Sequence, residues 1–149
     1  MFEGIITPIV TPFNRDKEES INYEATEKLI NYLIEHGVKG IFILGSNGEF
    51  HVVDEDEKVE FAKKVVEIVN KRVPVFVGTG CCSTRATVRL SKKMEEIGAD
   101  ALSVITPYFL KPTDENLYAH YKAVAQSVNI PIVLYNIPKA TGCPLSPEL

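Results

Sequence analysis

Val133-Leu134-Tyr135-Asn136-Ile137-Pro138, closed by Thr141-Gly142, is an apolar strand that runs out into a polar, glycine-marked turn. Parallel α/β proteins place the groups that touch substrate at such strand ends. Gly45-Ser46-Asn47-Gly48-Glu49 has the same form and follows an earlier apolar run, Gly40 to Leu44. Together the two stretches read as two pieces of one site. Further apolar runs at Gly4 to Val10, Val73 to Val77 and Ala101 to Ile105 alternate with helical patterns, and the run ending at Tyr135 begins at Ile130. This alternation predicts βα units and a parallel sheet. Runs that are apolar almost throughout predict strands covered on both faces or closed into a barrel.

The helices between the runs carry their own punctuation. Ser20 is positioned to cap a helix whose apolar face includes Leu29, Ile30, Leu33 and Ile34, with Gly37 as its left-handed stop. Asp54 and Glu57 form a capping-box pattern ahead of Val59, Ala62, Val65, Val66 and Val69. A third helix is expected from Thr84 to Ile97, ending at Gly98, and a fourth from Thr113 or Asp114 to Ser127. Ser146-Pro147-Glu148 then announces a fifth, with an N-cap, a proline at the first position and an acid in the first turn. A helix signal with one residue after it marks a single, incomplete domain over residues 1–149. Two architectures remain open on pattern alone. One is a complete five-unit flavodoxin-like sheet, and the other is the first five βα units of a (β/α)8 TIM barrel, truncated at the start of the fifth helix.

Composition narrows the partners. The chain has 149 residues, 45% apolar and 24% charged, with a net charge of -4 and no basic stripe interleaved with aromatics, so nucleic acid is not expected. The apolar runs are too short to span a bilayer and the start lacks a signal-peptide layout, so no membrane partner is expected and the chain reads as cytoplasmic. Cys81, Cys82 and Cys143 have no zinc-finger spacing, so no metal site is expected. Cys81 and Cys82 read as two small side chains turned to opposite sides, in preference to a strained vicinal disulfide.

Tyr135 carries the most chemistry. Asn136, Pro138, Thr141 and Gly142 would fix the strand end and leave its phenol free to donate and accept protons. In the earlier loop, Gly45 and Gly48 flank short hydrogen-bonding residues, a composition that lets backbone N–H groups converge on a carboxylate. Glu49 reads as an anchor for that loop, since a second carboxylate inside the site would repel its ligand. His36 reads as a helix C-terminal residue and His51 as close enough to the loop to tune binding from the surface. His120 lies in a helix with nothing to single it out.

Taken in order, these residues resemble the dihydrodipicolinate synthase and N-acetylneuraminate lyase superfamily of pyruvate-dependent class I aldolases. The resemblance runs from Thr7-Pro8 and Val10-Thr11-Pro12-Phe13 through the Gly45 to Glu49 loop, Gly78-Thr79-Gly80 and Gly98-Ala99-Asp100-Ala101. It continues with Thr106-Pro107-Tyr108-Phe109 and Lys111-Pro112, and ends in Tyr135-Asn136 to Gly142. It implies a (β/α)8 barrel, commonly a homotetramer built from dimers, that works on pyruvate or another 2-keto acid without metal or cofactor. It implies that Tyr135 shuttles protons and that Ser46 and Asn47, held between Gly45 and Gly48, bind the keto-acid carboxylate. The Schiff-base lysine of the sixth strand has no counterpart before Leu149, and neither Lys111 nor Lys139 matches its position. Three departures bear on the reaction. Asn47 lacks the hydroxyl of the usual threonine, Phe109 stands beside Tyr108 where synthases lend a tyrosine across a dimer interface, and Ala140 replaces their carboxylate-binding arginine. They point to a lyase or aldolase for a 2-keto-3-deoxy sugar acid or a sialic acid. The alternatives are 4-hydroxy-tetrahydrodipicolinate synthase and a non-catalytic α/β binding or assembly module.

Overall fold

The computed structural model describes residues 2–149. Five strands alternate with helices: β1 (Ile6–Pro8), α1 (Tyr23–Glu35), β2 (Gly40–Ile43), α2 (Glu55–Val69), β3 (Val75–Gly78), α3 (Thr84–Ile97), β4 (Ala101–Ile105), α4 (Asp114–Ala125), β5 (Ile132–Tyr135) and α5 (Pro138–Thr141). Every adjacent pair of strands is parallel, and the order across the sheet is β1-β2-β3-β4-β5. A flavodoxin-like sheet would run 2-1-3-4-5, so that alternative is ruled out. Strands added always on the same side by right-handed crossovers put every helix on one face. Accordingly α1 packs on α2, α2 on α3 and α3 on α4. This is the wall of a (β/α)8 barrel.

The wall is curved. In a flat sheet β2 and β5, three strand spacings of about 4.8 Å apart, would be separated by roughly 14 Å, with side chains standing perpendicular to the sheet. Instead the rings of Phe42 on β2 and Tyr135 on β5 meet edge to face with centroids 6.4 Å apart. Only a concave sheet brings them together. The core lies between the sheet and the helices. Ile41, Ile43, Val77, Leu102 and Val104 are buried with Ile30, Phe61, Val65, Leu90 and Met94 of the helices.

Local signals placed most elements, with instructive exceptions. Glu57 accepts the Asp54 N–H at 3.2 Å, as expected of the capping box at the start of α2. Ser83 caps α3 and Thr113 caps α4, and Gly98 ends α3 in the left-handed region. Helix α1, however, is capped by Asn22, which accepts the Ala25 N–H at 2.8 Å, and not by Ser20. A bridge between Phe13 and Ile21 folds the preceding segment back on itself, and there Ser20 donates its N–H to Asp16 at 2.9 Å. Strands β3 and β5 begin later than their apolar runs, because Pro74 and Pro131 lie just before them and contribute only their carbonyls to the neighbouring strands. After Tyr135 the chain forms the four-residue α5. The Ser146-Pro147-Glu148 segment is a turn closed by the Leu149 N–H on the Ser146 carbonyl at 3.3 Å.

Candidate active site

The C-terminal ends of β2 to β5 converge at the concave face. Their backbones can approach because of small residues. A Cβ on Gly78 would lie 1.9 Å from the Leu44 carbonyl oxygen, and one on Gly80 would lie 2.6 Å from Ile105 Cγ2. The Gly78-Thr79-Gly80 segment therefore lets the β2 and β4 ends close over β3. The space between Phe42, Leu44, Ser103, Ile105 and Tyr135 measures about 10 Å³, room for one water at most. Above this plug lie the strand ends.

There the Ser46 Oγ and the Tyr135 hydroxyl lie 3.0 Å apart, although 89 positions separate them in the chain. The two stretches read from the sequence as one site are thus in hydrogen-bond contact. The Ser46 loop is a tight turn in which Gly48 N–H donates to the Gly45 carbonyl at 3.1 Å and Glu49 N–H to the Ser46 carbonyl at 3.2 Å. Those bonds use the Gly48 and Glu49 amides and leave the Ser46 and Asn47 N–H groups without an acceptor within the turn. Ser46 is half-buried and Asn47 exposed.

The anchor of this loop is not Glu49. Its side chain is exposed, faces away beside Glu18, Glu19 and Glu57, and makes no hydrogen bond to the loop. Thr11 takes that part instead, donating its buried hydroxyl to the Gly48 carbonyl at 2.7 Å. The Val10-Thr11-Pro12-Phe13 motif is accordingly a brace for the loop, a role the local pattern did not reveal because the bond spans 37 residues.

Beyond Tyr135, Asn136 grips Leu145 through both its amide N–H and its carbonyl, each at 3.1 Å. Thr141 is buried. It accepts from Thr106 Oγ1 at 3.0 Å and from the Cys143 N–H at 3.2 Å, so the β4 and β5 ends are tied together. This fixing of the strand end was expected from the residue types, and the short α5 is the form it takes. Tyr108 lies beside Phe50, edge to face at 5.9 Å, and desolvation pushes its phenol up to about 12. Phe109 sits at φ 76° and is 92% exposed, with Leu110 beside it at 76%. A bulky residue held in the left-handed region and presented to solvent is costly.

A second, larger cavity of about 290 Å³ opens beside the Ser46–Tyr135 pair, lined by Ser46, Phe50, His51, Ile105, Tyr108, Ala140 and Thr141. No lysine lines it. Lys139 is exposed and Lys111 lines a different depression. Cys81 and Cys82 are free thiols turned to different partners, the carbonyls of Thr79 and Tyr108. Among the described residues no cluster of potential metal ligands forms, and no helix is long and apolar enough to cross a membrane. His36 closes α1 by pairing its Nδ1 with the Tyr32 carbonyl at 2.7 Å. His120 proves distinctive: only 4% exposed, it pairs Nδ1 with Thr84 Oγ1 at 3.0 Å, while its Nε2 is buried without a partner.

The model of the dihydrodipicolinate synthetase family matches residues 1–149. The chain belongs to this family. It is 44% identical over 147 residues to a 4-hydroxy-tetrahydrodipicolinate synthase of Clostridium perfringens strain SM101, covering 99% of this chain and 50% of that protein. It is 45% identical over 148 residues to the enzyme of the same name from Geobacter metallireducens, again covering 99% and 50%. Among solved structures, the chain superposes with a TM-score of 0.96 on a prophage protein of the dihydrodipicolinic acid synthase family from E. coli K12, in complex with pyruvate. That pair is 40% identical over 100% of this chain and 49% of the other. The chloride-inhibited dihydrodipicolinate synthase of Acinetobacter baumannii, also complexed with pyruvate, gives a TM-score of 0.95 at 40% identity, covering 99% and 50%. The family member thus spans about half the length of the curated relatives it matches.

Proposed function

We propose that the whole protein is a pyruvate-dependent class I aldolase or lyase, and that this chain supplies its proton-transfer and carboxylate-binding groups. The observation that carries the reading is the 3.0 Å contact between Ser46 and Tyr135 at the strand ends. In this reading a lysine outside the chain forms an imine with the 2-keto acid, which acts as an electron sink for the adjacent carbon–carbon bond. The Ser46 and Asn47 amides, left free by the turn, hold the substrate carboxylate. Tyr135 moves protons to and from the reacting carbons, with the Ser46 hydroxyl as the next member of the relay. Two relatives crystallised with pyruvate support a keto-acid ligand. Assembly into dimers of dimers would cover Phe109 and Leu110.

For the second half of the substrate, Ala140 and Phe109 favour cleavage of a 2-keto-3-deoxy sugar acid. A phenylalanine transfers no proton, and a methyl group does not bind a carboxylate. The names of the relatives favour a second reading, 4-hydroxy-tetrahydrodipicolinate synthase. Incubating the whole protein with pyruvate and borohydride tests what the readings share. One reduced adduct per subunit by intact mass is expected, and no adduct would refute both.

A further inference from the structure

The cavity beside the Ser46–Tyr135 pair has one end at the reacting groups and a wall of different chemistry. Phe50, Ile105 and Ala140 present only carbon to it. Two of its polar residues are already engaged: Thr141 is bonded to Thr106 and Cys143, and the Tyr108 phenol lies beside the Cys82 thiol. Ser46 is paired with Tyr135. That leaves the exposed His51 imidazole, which has no hydrogen-bond partner among the described residues and lies edge-on to Phe50 at 5.7 Å. His51 is held in place by the turn that follows the site loop, where Val52 N–H donates to the Glu49 carbonyl at 3.0 Å.

Resting on the aldolase reading above, we propose that His51 is the specificity-determining residue of this cavity, and that it selects an uncharged, hydroxylated aldehyde portion over a carboxylated one. An imidazole offers one donor and one acceptor, which suits a hydroxyl group. The part of the wall that this chain supplies carries no guanidinium or ammonium to neutralise a second carboxylate, and burying one against it unpaired is costly. The carbon faces of Phe50 and Ile105 would pack along the CH faces of the chain that bears the hydroxyls.

The test uses the whole protein with pyruvate and two aldehydes of similar length, D-glyceraldehyde and succinic semialdehyde. Wild type is expected to have the higher kcat/KM with glyceraldehyde. His51→Ala should raise the KM for glyceraldehyde about three- to tenfold, the worth of one hydrogen bond, with kcat and the KM for pyruvate little changed. His51→Gln, which keeps a donor and an acceptor, should recover most of that loss. An unchanged glyceraldehyde KM in His51→Ala, or a wild-type preference for succinic semialdehyde, overturns the proposal while borohydride trapping of pyruvate leaves the aldolase reading standing. Failure of wild type to trap pyruvate overturns both.

Discussion

Strands β3 and β4 are buried along their whole length, whereas β5, which carries Tyr135, is half-buried at its ends and exposed at Val133 and Leu134. All three are predominantly apolar. The difference lies in what flanks them: β3 and β4 have a strand on either side, while β5 pairs only with β4 among the described residues. Parallel strands are stable when both edges are paired and both faces covered. Like β1 at the other edge, the strand that carries Tyr135 is therefore supported by this chain on one side only. Its position rests on the clamps at its end, Asn136 on Leu145 and Thr141 on Thr106.

The largest expected effect falls on β5 and concerns chemistry. Tyr135→Phe in the whole protein should lower kcat by about 10²- to 10⁴-fold, the usual worth of a positioned proton-transfer group, with the pyruvate adduct still trapped by borohydride. Unchanged turnover would remove Tyr135 from the reaction. The next test contrasts packing on the two kinds of strand. Leu102→Ala in β4, a fully buried site, should destabilise this chain by about 2–5 kcal/mol in urea melts. Leu134→Ala in β5 should cost no more than about 0.5 kcal/mol in the same chain. A larger loss from Leu134→Ala in the whole protein would show that further chain covers this strand, and equal losses in both would break the contrast.

Smaller effects appear in the pH dependence of stability. Burial lowers the pKa of His120 below its ordinary value of 6.5, so the unfolded chain binds the proton more readily than the folded one. Stability should therefore be full above about pH 6.5 and fall as acid charges the buried ring. His120→Leu should flatten that slope in melts between pH 7 and 5. Glu55, which bridges α2 to α3 through Arg89 and Lys93, is held down to about 2, chiefly by its hydrogen bond from Arg89. It too stabilises above its unfolded pKa and stops doing so as pH falls towards 2. Its effect should be the smallest, because Arg89 is half exposed and solvent screens the pair. Comparing Glu55→Gln with wild type from pH 6 to pH 3 measures it.

Much of this architecture was legible because its signals are local. Helix α3 begins and ends where its residues announce, from the Ser83 cap to Gly98, since hydrogen bonds a few residues apart decide a helix end. Ser20 misled for the same reason. It has the right residue type, but the bridge between Phe13 and Ile21 claimed the segment for a different turn and left the cap to Asn22. Glu49 was misplaced because its neighbours in sequence do not include Thr11, which in the folded chain holds the loop.

The sequence alone determined that strands and helices alternate, that the strands are parallel, and that Tyr135 and Ser46 stand at strand ends. Each of these follows from periodicity and turn chemistry within a few residues. Tertiary structure alone decided the order β1-β2-β3-β4-β5, the curvature that brings Ser46 Oγ to 3.0 Å from the Tyr135 hydroxyl, and the exposure of β5. An apolar strand states that it must be covered but not by which neighbour, so pairing and curvature are settled only when distant segments compete for the same edges.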